Sequence, residues 1–202
     1  ARLIHISTDF VFDGTSKTPY TPDQQTGPLG AYGSSKLAGE QQIQALANER
    51  SAIVRTSWLY SEFGNNFVKT MLRLMGEKEQ LSIVNDQIGS PSSTHGLAAL
   101  IFAMILHQRY QGIYHWTDGA SISWFEFAQE IQGQALKEGL LSKAIPISRI
   151  ATIDYPTPAR RPAYSVLDRS RALAEFECPT EDWKTQLSLV IKELASKPKA
   201  TT

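Results

Sequence analysis

The stretch Leu3-Ile4-His5-Ile6-Ser7-Thr8-Asp9 is an apolar run that closes on two hydroxyls and a carboxylate. Such a run predicts a buried strand over residues 3–7. In open α/β sheets, ligands bind beyond the carboxyl ends of the strands, so Ser7, Thr8 and Asp9 fall where a ligand would sit. Twenty-four positions beyond Thr8 comes Tyr32-Gly33-Ser34-Ser35-Lys36. At a helix start, side chains four apart share a face, so the phenol and the ammonium project together. The ammonium favours the phenolate, and a phenol so tuned can protonate a carbonyl oxygen as hydride reaches its carbon. Taken alone, the Tyr/Lys pair is better explained by a surface tyrosine and a solvated lysine. The strand-end hydroxyls ahead of it shift the reading to a catalytic group of Thr8, Tyr32 and Lys36.

Working outward, strand and helix signals alternate. Residues 15–30 read as a long loop rich in Pro, Gly, Thr and Asp, and 33–48 as a helix with apolar Leu37, Ile43 and Leu46. Ile53-Val54-Arg55-Thr56-Ser57-Trp58 is a strand signal, Asn66 to Gly76 a helix ended by its glycine, and 81–84 a short strand. Residues 94–108 read as a helix and Gly112 to Trp116 as another strand. Ser123-Trp124-Phe125-Glu126 fits a capping box before a helix to about residue 136, and Thr180 is placed to cap a last helix to about Ala195. The proline-rich stretch 146–164 is expected to be extended and loop-like. Strands separated by helices imply parallel βαβ units and a layered α/β fold.

Composition narrows the function classes. Lys+Arg and Asp+Glu are both 20, so no basic field calls for nucleic acid. Leu97 to Leu106, the most apolar stretch, is too short to span a bilayer. Cys178 stands alone, which excludes an intrachain disulfide and fits a reducing cytoplasm. His95, His107 and His115 show no metal-ligand spacing with Cys178 or with each other. His5, inside an apolar run, reads as a satisfied buried histidine, and Trp124, Phe125 and Phe127 as core. Arg160 and Arg161, flanked by prolines, either present guanidinium forks to a diphosphate or belong to an ordinary surface loop.

Five motifs occur in register: Ser7-Thr8-Asp9-Phe10-Val11-Phe12-Asp13-Gly14; Tyr32-Gly33-Ser34-Ser35-Lys36-Leu37-Ala38-Gly39-Glu40; Arg55-Thr56-Ser57-Trp58-Leu59-Tyr60 with Gly64-Asn65-Asn66-Phe67-Val68; Asp86-Gln87-Ile88-Gly89-Ser90-Pro91; and Tyr155-Pro156-Thr157-Pro158-Ala159-Arg160-Arg161-Pro162. From residue 3 to about 170 the chain resembles the dTDP-4-dehydrorhamnose reductase family of extended short-chain dehydrogenases. The resemblance implies the C-terminal part of a doubly wound Rossmann-type parallel sheet with a smaller substrate-binding lobe. Residues 1–120 would hold the second half of the NAD(P)-binding domain with interleaved lobe segments. Residues 121–202 would be mainly lobe and a C-terminal helix.

It also implies a reaction: NADPH or NADH reduces the 4-keto group of dTDP-4-dehydro-6-deoxy-L-mannose to dTDP-L-rhamnose, for cell-surface polysaccharide. Tyr32 would donate the proton, Lys36 would support it and hold the nicotinamide ribose, and Thr8 would supply the hydroxyl. Thr8, Asp9 and Trp58 would line the sugar-nucleotide site. Ser7, Tyr32, Lys36, Arg55, Thr56 and Ser57 would stand near the cofactor. Mg2+ follows from the same resemblance, with no ligands assignable. Phe10 departs from the family pattern, where a tyrosine is common, so any bond from that hydroxyl is lost.

No Gly-rich dinucleotide turn follows a strand here, and the chain opens on a core strand. An N-terminal part, carrying the diphosphate turn, is therefore expected to be missing, and the fragment by itself to be inactive. That part is expected to be docked, disordered or replaced by a partner covering the first strand. A homodimer is among the expected states. Two other classes stay open: a non-catalytic regulatory subunit of the same fold, of the methionine adenosyltransferase type, and another nucleotide-sugar epimerase or dehydratase.

Overall fold

A computed structural model describes residues 1–157, 159–178 and 182–196. Its centre is a three-stranded parallel sheet in the order β1 (Leu3–Thr8), β2 (Ser51–Thr56), then the strand Gly112–Trp116. The helix Ala31–Ala47, α1, crosses from β1 to β2, beginning two residues earlier than its sequence signal. Pairing runs in register from Leu3 opposite Ser51 to Thr8 opposite Thr56, so both hydroxyl-bearing strand ends finish level.

Three short elements follow β2. They are β3 (Leu59–Tyr60), α2 (Phe67–Glu77) and β4 (Leu81–Val84). Asn66 caps α2 by accepting from the Lys69 N–H, and the helix runs one residue past Gly76. Then come β5 (Ile88–Gly89), β6 (Ser92–Ser93), α3 (Thr94–His107) and the third central strand, β7. Next are β8 (Ile122–Ser123) and α4 (Trp124–Lys137), which starts on the expected capping box: Ser123 and Glu126 each bond the other's backbone N–H.

The stretch 146–164 is not all loop. Ile147–Ile150 forms β9, parallel to β4, with Ile147 and Ile150 at its ends partly buried and Ser148 and Arg149 exposed. A short helix, α5 (Ser170–Glu175), also escaped the sequence reading. The last helix, α6, is Trp183–Ser196. Thr180 lies outside the described residues, and the Asp182 carboxylate accepts from the Lys184 and Thr185 N–H groups at the start of that helix.

The period of two along the strands divides the molecule. Ile4, Ile6, Ala52, Val54, Tyr114 and Trp116 face a core completed by α3 and by Ala172 and Phe176 at α5. The alternate residues Ser7, Arg55 and His115 lie side by side across the three strands on the opposite face. There Arg55 forks onto Glu40 of α1, with Nη2 2.6 Å from Oε2, and Nη1 donates to the Pro22 carbonyl. Both members of this pair are almost wholly buried. A second core, built from α2, α4, α6 and Tyr60, forms the lobe.

Candidate active site

Gly33 explains how the strand end and the helix start come together. A Cβ there would stand 2.1 Å from the Phe10 carbonyl oxygen, so only glycine lets α1 approach the turn at Asp9–Val11. The result is an open cleft of about 230 Å³ into which Ser7, Thr8, Asp9, Tyr32, Thr56 and Trp58 all face. Tyr32 is 59% exposed, its ring edge-on to Phe10 at 5.9 Å. Lys36, one turn behind, donates from Nζ to the Ile6 carbonyl at 2.6 Å, which anchors the ammonium to β1. The three expected catalytic residues are thus gathered at one end of β1.

Thr8 is engaged on both sides. Its Oγ1 donates to Asp9 Oδ1 at 3.0 Å and accepts from the Phe10 N–H at 3.2 Å. Asp9 is buried, and burial outweighs its hydrogen bonds from Ser165 and Thr8, raising the carboxyl to about 6. Like Asp9 Oδ2, Ser7 Oγ and Thr56 Oγ1 are buried in the cleft wall with no hydrogen-bond partner. Buried hydroxyls are normally satisfied, so these two fit a polar group of a bound ligand, such as a nicotinamide carboxamide. Ser57 also lines the cleft, but its hydroxyl is committed to the Ser90 carbonyl at 2.6 Å.

Two expectations need correction. Arg55, expected beside the nicotinamide, does not face the cleft: its guanidinium is consumed by Glu40 and Pro22 and stacks over Phe12. His5 is not satisfied, since its Nε2 is buried without a partner, and burial followed by Lys36 lowers its pKa. Trp124 packs against the lobe core as expected but also reaches the cleft. Phe125 and Phe127 are core as expected, and Trp124 stacks on Trp58, ring centroids 3.5 Å apart.

Arg161 reaches the cleft and also a neighbouring apolar cavity of about 510 Å³ between α2 and β4, lined by Phe67, Met71, Leu74, Ile83 and Trp124. Arg160 faces instead a groove beside Phe10 and Gly30. Among the described residues no group of three or more His, Cys, Asp or Glu could hold a metal ion, so the Mg2+ implied by resemblance has no ligand set here. Nor is any described helix long and apolar enough to cross a membrane.

Parallel strands joined by a crossover helix, with a hydroxyl, a phenol and an ammonium at the strand ends, define a Rossmann-type short-chain dehydrogenase class. A family model described as RmlD substrate binding domain matches residues 1–196, and the chain belongs to that family. It is 39% identical over 192 residues to dTDP-4-dehydrorhamnose reductase of Aggregatibacter actinomycetemcomitans, covering 93% of this chain and 65% of that one. It is 40% identical over 197 residues to the spore coat polysaccharide biosynthesis protein SpsK of Bacillus subtilis, covering 97% and 66%. The crystal structure of dTDP-4-dehydrorhamnose reductase from Bacillus anthracis in complex with NADP superposes with a TM-score of 0.86 at 39% identity, over 96% of this chain and 66% of that one. The chain therefore spans about two thirds of the length of these relatives.

Proposed function

We propose that this chain is the catalytic and substrate-binding portion of a dTDP-4-dehydrorhamnose reductase, which reduces the 4-keto group of dTDP-4-dehydro-6-deoxy-L-mannose to dTDP-L-rhamnose. The observation that carries the reading is the convergence of Thr8 and Tyr32 on one cleft with Lys36 anchored behind them. The names of the relatives and the NADP in the Bacillus anthracis structure support it. Residues 1–120 serve mainly the dinucleotide sheet and 121–202 mainly the lobe, with α5 returned to the sheet's core.

NADPH or NADH, when bound, supplies the hydride; Ser7, Thr56 and Lys36 would hold its nicotinamide end. Tyr32 gives its phenolic proton to the keto oxygen, so the product carries a new C–H and a new O–H. Thr8 turns its hydroxyl toward the same oxygen once released from Asp9. Trp58 offers an aromatic face to the sugar, Arg161 a guanidinium to the diphosphate, and the apolar cavity beside Trp124 a seat for the nucleoside.

The test is loss of NADPH absorbance when full-length protein carrying this chain meets the keto sugar. An epimerase or dehydratase would convert its substrate without net NADPH consumption. A non-catalytic subunit would consume none and leave the sugar unchanged. Either result overturns the reading.

A further inference from the structure

Trp58 is held in an unusual way. Its backbone is left-handed, with φ of 45°, a region that bulky side chains avoid. Such a conformation persists only where the surroundings over-determine it, and it tends to occur at ligand sites. The surroundings here are two. Trp124 stacks on the indole with rings 13° from parallel. In β5, Gly89 leaves a slot: a Cβ there would stand 2.6 Å from Cε2 and Cζ2 of Trp58 and 2.8 Å from Nε1.

Both supports come from one small structure. β5 and β8 pair antiparallel with Gly89 opposite Ile122 and Ile88 opposite Ser123, and Trp124 follows at once. The Ser123 hydroxyl is bonded to Asn85 and Glu126, which fixes the place where α4 starts and hence where Trp124 stands. The stacked indoles border the polar cleft, and Trp124 alone of the two also borders the apolar cavity.

We propose that Gly89 and Trp124 are positioning residues: they fix the Trp58 indole as a wall of the reduction cleft, with Trp124 stacked behind it toward the nucleoside cavity, and so set the affinity for the sugar nucleotide. This deepens the function proposed above and rests on it. Gly89 is then required for the space the indole occupies. Its backbone has no need of it, since its φ lies outside the left-handed region. Trp124 acts through Trp58 and touches the nucleoside side itself.

Full-length protein decides it with two variants. Trp124→Phe keeps an aromatic ring and preserves the fold, while Gly89→Ala fills the slot. A stacked indole pair gives an exciton couplet in far-ultraviolet circular dichroism, which is expected to vanish in Trp124→Phe and to shrink in Gly89→Ala. The KM for the keto sugar nucleotide is expected to rise about tenfold in both, the order of one aromatic contact, with the KM for NADPH within about twofold of wild type. A lost couplet with an unchanged sugar-nucleotide KM overturns the proposal, as does a folded Gly89→Ala that keeps both. If the wild type consumes no NADPH with this substrate, the functional reading fails, and the couplets alone still decide whether Gly89 and Trp124 hold Trp58.

Discussion

The two cores of this chain close in different ways. In the lobe, α2, α4 and α6 bring Val68, Phe127, Ile131, Leu187 and Val190 together with no solvent exposure. At the sheet, α1 buries only Gly33 and Glu40, while Tyr32 and Leu46 stand 59% and 78% exposed. β1 pairs on one side with β2 and with no other strand among the described residues. The lobe is thus held by hydrophobic burial, whereas α1 adds to a small apolar cluster of Leu37 with Val11, Phe12, Tyr20 and Leu167 a buried ion pair, Arg55 with Glu40, and the bond of Lys36 to the Ile6 carbonyl.

The largest test of that contrast is Tyr32→Phe in full-length protein. The ring is mostly solvent-exposed, so the melting temperature should stay within about 1 °C of wild type, in keeping with the small effects of surface substitutions. The kcat should fall by about two to four orders of magnitude, the usual worth of a general acid. Near-normal turnover would remove Tyr32 from the chemistry, and a large fall in melting temperature would show that the catalytic helix is packed more tightly than it looks.

Next come two stability tests of similar size, read by denaturant unfolding. Phe127→Ala in the lobe should cost about 3–5 kcal/mol by transfer and cavity terms. Leu46→Ala on α1 should stay within about 0.5 kcal/mol. If the two costs were alike, the contrast between the cores would fail. Glu40→Ala should cost about 3–5 kcal/mol, because it strands a buried guanidinium, whereas the apolar pair Glu40→Leu with Arg55→Met should recover most of it. The double variant should also keep the KM for NADPH, since Arg55 does not face the cleft. A specific cofactor defect would return Arg55 to the cofactor site.

Much of this was legible in the chain. The apolar runs of β1, β2 and β7 are continuous enough to name strands, and the Ser123 box names the start of α4 to the residue. What stayed hidden depended on distant partners. Ile147-Ser148-Arg149-Ile150 lacks the period-two pattern of a half-buried strand, prolines lie near it, and its partner β4 lies more than sixty positions earlier. Arg55 sits in a motif that places it near a ligand, but a fork that meets Glu40 is taken by the nearest buried carboxylate. Trp124 shares an aromatic cluster with Phe125 and Phe127, and composition cannot say which ring of such a cluster also borders a cleft. The convergence of Ser7, Thr8 and Tyr32 could be read because strand-end hydroxyls have a set place in parallel sheets.

The smallest expected effect probes the polar seam between the two cores, where Asp118 lies buried. It accepts from the Ser93 N–H at 2.6 Å and from the Tyr60 hydroxyl at 3.3 Å. Burial nonetheless prevails over these bonds and raises its pKa from 3.8 to about 6. A carboxyl that holds its proton more tightly when folded contributes stability that is full below pH 3.8 and is lost as pH rises through 6. Asp9 acts in the same direction. His115 acts oppositely: burial, then Arg55, pushes it down to about 3, so its contribution is present above pH 6.5 and lost as pH falls toward 3. Asp118→Asn removes one member of this balance while keeping an oxygen to accept from the Ser93 N–H. Relative to wild type, its melting temperature should therefore be higher at pH 7.5 than at pH 4, by about 2–4 °C, the shift expected for about 1 kcal/mol in a chain of this size. A mutant-minus-wild-type difference that is flat with pH would mean that Asp118 keeps its charge at no cost, and that water or Arg169 compensates it in the seam.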